Sequence, residues 1–161
     1  MQKAGSSPDF SFVDGIRTAS RRMVRELGFM KSTLAATDYP PSAVHAIIEI
    51  GSRKSMSAAQ LAEFLDLEKS SVSRMVRKLI EAGELQEQAS DSDGRVKWLA
   101  LTPQGRRTLA AVQAFGRKQV VGALEQLSAN QQDAVAQGLG IYAQALEARG
   151  HSFKSETDTE V

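Results

Sequence analysis

From Phe10 onward, apolar residues recur at helical spacing: Val13, Ile16, Met23, Leu27, Met30 and Leu34. This period predicts a first helix over about residues 9–36, closed by the prolines of Tyr39-Pro40-Pro41-Ser42. The same prolines suit the start of a second helix, which turns Val44, Ile47, Ile48 and Ile50 inward. Gly51 reads as its stop. Ser57-Ala58-Ala59-Gln60 is a capping box opening a short helix with Leu61, Ala62 and Leu65 inward. Asp66-Leu67-Glu68 is a tight connection to a fourth helix from about Lys69 to Ala82. Its inward stripe is Val72, Met75 or Val76, Leu79 and Ile80, and Gly83 follows it.

The period then changes. Two strand-like runs, Glu84 to Ala89 and Val96 to Leu101, flank a turn-rich loop containing Asp93-Gly94. Thr102-Pro103 is an N-cap with proline at the first helical position. The long helix it opens carries Leu109, Val112, Phe115, Val120, Leu124 and Leu127. Ser128-Ala129-Asn130-Gln131 is a second capping box, ahead of Val135, Leu139, Tyr142 and Leu146. The expected fold is mainly α with a small β-hairpin wing. Two short helices joined by three residues and followed by a hairpin outline a winged helix-turn-helix over residues 41–103. Residues 9–36 and 104–148 are then flanking helices, with 1–8 and 149–161 as flexible tails.

Composition narrows the chemistry more than it fixes it. The 161 residues suffice for one ordinary domain with its own core. No apolar run reaches membrane-spanning length, and the first ten residues lack a secretory pattern, so a cytoplasmic protein without membrane contact is expected. Cysteine is absent, which removes disulfides, thiol redox sensing and cysteine-ligated zinc. His45 and His151 stand far apart, and no metal, cofactor or catalytic constellation is expected; the chain does not read as an enzyme. A net charge of +1 says little, because the charge is segregated. Lys69 to Ile80 contains Lys69, Arg74, Arg77 and Lys78 and no acid, while Glu156, Asp158 and Glu160 lie in the tail.

In a helix-turn-helix the second helix enters the major groove, with its N-terminal residues at the base edges. Here these are Lys69, Ser70, Ser71, Ser73, Arg74 and Arg77, with Lys78 behind them. The serines are poor helix-interior residues but good partners for phosphates and bases, and Arg74 is long enough for bidentate contact to guanine. A basic helix alone is more often a solvated face. The helix-turn-helix spacing and the wing favour double-stranded DNA instead. Arg17, Arg21 and Arg25 form a stripe better read as solvated or ion-paired. His45 reads as a structural histidine, and Trp98 as packing the hairpin onto the body.

The run Leu61-x3-Leu65-x-Leu67-x2-Ser70-Ser71-Val72-Ser73-Arg74-x-Val76, then Gly83, Asp93-Gly94-Arg95 and Leu101-Thr102-x2-Gly105, resembles the MarR family of bacterial transcription regulators. Asp-Gly-Arg followed closely by Leu-Thr-x-x-Gly is the specific part. The resemblance implies a homodimer formed through the terminal helices, bound to a pseudo-palindromic operator, in most cases as a repressor. It also implies that Arg95 of the wing reaches the minor groove, where Asp93 helps hold it; Lys97 beside them is a further candidate DNA contact. A small aromatic or phenolic ligand that releases DNA is a further implication, with Arg17, Phe29, Met30, His45 and Trp98 as candidate lining residues.

Val13-Asp14-Gly15-Ile16-Arg17 and Leu27-Gly28-Phe29 also resemble the MarR-like half of acetyltransferase fusions. The alternative is therefore a fragment or a stand-alone relative of such a fusion. No glycine-rich acetyl-CoA loop follows Ala148. A protein-binding winged-helix adaptor is a further alternative, but it would expose acidic or aliphatic residues where Lys69 to Lys78 is basic.

Overall fold

The computed structural model describes residues 8–89 and 94–157, the last seven by backbone alone. Helix α1 spans Phe10–Glu26, ten residues short of the predicted end. Gly28, at φ +86°, turns the chain out of the helix, and Phe29 N–H donates to the Val24 carbonyl at 3.1 Å. The apolar period runs on through Met30 and Leu34, which is why the sequence hides this stop. The prolines instead begin helix α2, Pro41–Arg53. It buries Ala43, Val44, Ala46, Ile47 and Ile50, with Ile48 half-buried.

Gly51 does not end α2. It lies inside the helix, where a Cβ would collide with the Leu109 side chain and stand 3.0 Å from Leu101 Cδ1. Its role is close packing. A two-residue strand, β1 (Met56–Ser57), precedes helix α3 (Ala58–Leu65), and the sequence pattern does not predict it. The Ser57 capping box forms as expected: Gln60 N–H donates to Ser57 Oγ at 3.2 Å, and Ser57 N–H to Gln60 Oε1 at 3.0 Å.

Helix α4 spans Lys69–Glu81, and Gly83 at φ +78° follows it. Strands β2 (Leu85–Ala89) and β3 (Lys97–Leu101) form the hairpin. The antiparallel sheet has the order β1-β3-β2, pairing Met56 with Leu99 and Leu85 with Leu101. Its inner residues Met56, Leu85 and Leu99 join Ile47, Ile50, Leu61, Val72 and Leu79 in one core. Burying each such side chain stabilises the fold by roughly 1.5–3 kcal/mol. Helices α2, α3 and α4 are therefore fixed to the sheet by a shared set of aliphatic groups.

Helix α5 spans Pro103–Leu124, and Thr102 Oγ1 accepts from Gly105 N–H at 3.0 Å as its N-cap. Helix α6 spans Ala129–Thr157, opened by the Ser128–Gln131 box at 2.9 and 3.3 Å. It thus continues through residues read from sequence as a tail. The chain divides into two compact units, one ending at Gly116 and the other beginning at Arg117. The second unit contains the end of α5 and α6, with Gln132 Nε2 donating to the Leu124 carbonyl at 3.0 Å. No helix among the described residues is long and apolar enough to cross a membrane.

Candidate nucleic-acid interface

Two turns of backbone geometry present α4. Asp66 adopts the left-handed conformation, φ 53° and ψ 44°, and ends α3 with Leu67 N–H donating to the Ala62 carbonyl at 3.1 Å. The extended residue Glu68 then starts α4 without a side-chain cap. The first N–H groups of a helix have no intrahelical acceptor, so the first turn, with Lys69, Ser70 and Ser71, carries the partial positive charge that favours anions.

The two faces of α4 differ in chemistry. Val72, Val76 and Leu79 are buried in the core, and Met75 and Ile80 pack beside them. Lys69, Ser70, Ser73, Arg74, Arg77 and Lys78 are exposed, and Ser71 is half-buried. A shallow cleft of about 290 Å³ brings Ser71, Arg74 and Lys78 against Pro40 and Ser42 at the start of α2. Four of the basic groups thus share one helix, and three of the predicted contact residues share its flank.

The wing is only partly described. Asp93 lies outside the described residues, and Arg95 is exposed in the turn before β3. Lys97 Nζ lies 3.1 Å from Glu87 Oε2 on the neighbouring strand. Such an exposed pair contributes little, about 0–1 kcal/mol, so Lys97 remains available to an anion. Trp98 sits half-buried on the central strand between Ser57 and Gln88, as a packing residue would.

None of the five candidate ligand-pocket residues lines the cleft beside α4, or a second cleft walled by residues 35–39, Glu84 and α5. Phe29 and His45 do meet, with ring centroids 5.5 Å apart and tilted by 34°. Arg17 pairs with Asp14 at 3.1 Å on the exposed face of α1, and Met30 is exposed.

A second polar site is not legible in the sequence. Glu84 is 3% exposed, the only charged residue among the buried ones described. Its Oε1 accepts from the Tyr39 hydroxyl at 2.9 Å and from Gln104 Nε2 at 3.3 Å. Its Oε2 is buried with no hydrogen-bond partner among the described residues. An unsatisfied buried group of this kind costs about 1–3 kcal/mol. Burial first, then the hydrogen bond to Glu84 and the charges of Glu84 and Asp38, push the Tyr39 hydroxyl up to about 12. Tyr39 is therefore a fixed donor at ordinary pH. Nearby, Ala35 and Ala36 both take positive φ, 54° and 55°, unusual for residues with a Cβ.

Residues 37–96, which contain α2 to α4 and strand β2 but end before β3, match the model of the MarR family. The helix-turn-helix within that span is of the MarR family. Solved structures extend the likeness of fold beyond it. FabT of Streptococcus pneumoniae, in complex with DNA, is similar at a TM-score of 0.72 and 22% identity, over 87% of this chain and 99% of that one. A mutant of MarR from E. coli is similar at 0.66 and 13%, over 86% and 99%. BpsR of Bordetella bronchiseptica, in a structure concerning regulation of its DNA binding by 6-hydroxynicotinic acid, is similar at 0.62 and 14%, over 81% and 98%. No curated protein matches the chain by sequence. The fold is that of MarR-family transcription regulators, and α4 lies within the residues that the family model matches.

Proposed function

We propose that the chain is a sequence-specific DNA-binding regulator that occupies a pseudo-palindromic operator as a homodimer and represses transcription. One observation carries the reading: on α4, a buried aliphatic stripe stands opposite an exposed face of lysine, serine and arginine, with no acid from Lys69 to Ile80. That face matches the polyanionic backbone and guanine edges of a major groove. Arg95 and Lys97 then meet the adjacent minor groove and backbone, with Asp93 positioning Arg95. FabT was solved with DNA, which supports the same use of this fold here.

The protein acts by binding and performs no catalysis, in the cytoplasm. A small molecule that releases DNA belongs to the reading, by analogy with the subject of the BpsR structure. Selection of bound sequences from a random duplex pool tests the proposal. Two inverted half-sites about one helical turn apart are expected. Recovery of unselected sequence, or of a single half-site, would count against it.

A further inference from the structure

Glu84 forms part of the wall of a cleft of about 470 Å³. The other walls are the loop 35–39 and Thr108, Ala111 and Phe115 of α5. We infer that this cleft binds a small organic amine, whose N–H groups donate to the unpartnered carboxylate oxygen of Glu84. As regulation, the inference rests on the DNA-binding reading; as binding, it does not.

Three observations converge. The first is the orphan acceptor: Glu84 is almost wholly buried, and its Oε2 has no donor among the described residues. The Tyr39 hydroxyl and the Gln104 amide both serve Oε1 and leave the second oxygen unmet. The second is charge. The ionisable groups lining the cleft are Asp38, Tyr39 and Glu84, with no lysine, arginine or histidine, so an anion would face a desolvated carboxylate and a cation a complementary one. The third is size and polarity. A single water occupies about 30 Å³. The cleft is many times larger and falls in the range of small-molecule sites, with Ala35, Ala36, Ala111 and Phe115 to cover an apolar body.

The position adds consequence. Glu84 N–H donates to the Leu79 carbonyl at 2.9 Å, and the Glu84 carbonyl accepts from Thr102 N–H at 3.0 Å. The residue that would hold the amine thus ties the last turn of α4 to the end of β3.

Benzylamine and benzoate, alike in shape and opposite in charge, are the probes. Each is titrated into the wild-type chain without DNA, by calorimetry and by amide shifts in heteronuclear spectra. Benzylamine is expected to saturate, with shifts confined to the loop 35–39, Glu84 and the first three turns of α5, and benzoate to produce none. Glu84→Gln keeps the hydrogen bonds of Oε1 but loses the charge, and should weaken benzylamine by about tenfold or more. Ala111→Trp fills the cleft while leaving Glu84 in place, and should abolish binding in a chain with an unchanged circular dichroism spectrum. Should Glu84→Gln not fold, the benzoate comparison and Ala111→Trp still decide. Equal binding of benzoate, unchanged binding by either folded variant, or no saturation by benzylamine overturns the inference. A labelled duplex then separates the two readings: saturating benzylamine should change its affinity for the wild type but not for Ala111→Trp. An unchanged wild-type affinity overturns the coupling and leaves DNA binding standing.

Discussion

A Cβ added at Gly105 would overlap the carbonyl oxygen of Glu84, so the first turn of α5 rests directly on the backbone that follows α4. The contact cannot relax cheaply. The obstructing atom is backbone, and it is already held by Thr102 N–H at 3.0 Å.

Gly105→Ala should therefore destabilise the fold by about 1–3 kcal/mol, as overpacking does. Helix propensity alone gives the opposite sign, since alanine inside a helix is favoured over glycine by roughly 0.5–1 kcal/mol. Urea unfolding of the variant should show a lower midpoint at an unchanged slope. A midpoint at or above that of the wild type would show that the two backbones do not press together.

Local signals are the readable ones. Ser57–Gln60 and Ser128–Gln131 are each complete within a single helical turn of sequence, and both boxes form. The stripe Val72, Val76 and Leu79 follows from period alone, and with it the outward placement of Arg74 and Arg77. What needs partners distant in sequence is not readable. Gly51 reads as a stop because its real neighbours, Leu101 and Leu109, lie far along the chain. Strand β1 is two residues long and exists only as a partner of β3. Glu84 reads only as the start of a strand-like run, because its partners Tyr39 and Gln104 lie far from it in sequence. The end of α1 is a different failure: Gly28 is visible, but the apolar period running past it outweighs it.

The Tyr39–Glu84 bond predicts an alkaline signature. The folded hydroxyl titrates near 12 against an ordinary value of 10.0, so folding favours its protonated form. A raised value contributes stability that is fully present below 10 and is lost as pH rises through 12. Wild-type stability should thus fall more steeply across that window than the stability of Tyr39→Phe. At neutral pH the variant should lose about 1 kcal/mol, the worth of a hydrogen bond. Urea midpoints measured at several pH values check both. Parallel pH curves for the two proteins would refute the assignment.

The flanking helices predict self-association. Phe10 and Ile141 are 85% and 69% exposed, and Phe12, Val120, Val121, Leu139 and Leu146 are also open in the single chain. Apolar side chains exposed in such number on three helices are more than a soluble monomer ordinarily leaves to water. Sedimentation at micromolar concentration should give about twice 17.4 kDa, as a closed two-fold dimer does. Phe12→Asp with Ile141→Asp should shift the equilibrium to monomer and weaken operator binding together. A wild-type monomer that binds a full operator tightly would sink the dimeric reading.

The two arginines of the proposed interface should separate by what they read. Arg74 projects from the exposed face of α4 beside Ser71 and Lys78, where a guanidinium can reach a base edge. Arg95 stands in the wing turn, where charge and groove shape matter more than base identity. Arg74→Ala should cost roughly 1–3 kcal/mol per half-site and relax the preference at one base position. Arg95→Ala should weaken binding to many sequences alike and reduce the salt slope by about one per wing. In a dimer both effects double, because each half-site meets one recognition helix and one wing. The two variants are to be titrated on the selected operator and on a scrambled duplex at several salt concentrations. Equal weakening of both duplexes by Arg74→Ala, or an unchanged salt slope in Arg95→Ala, would refute this division of roles. If neither substitution alters affinity, the nucleic acid lies on another face of the protein.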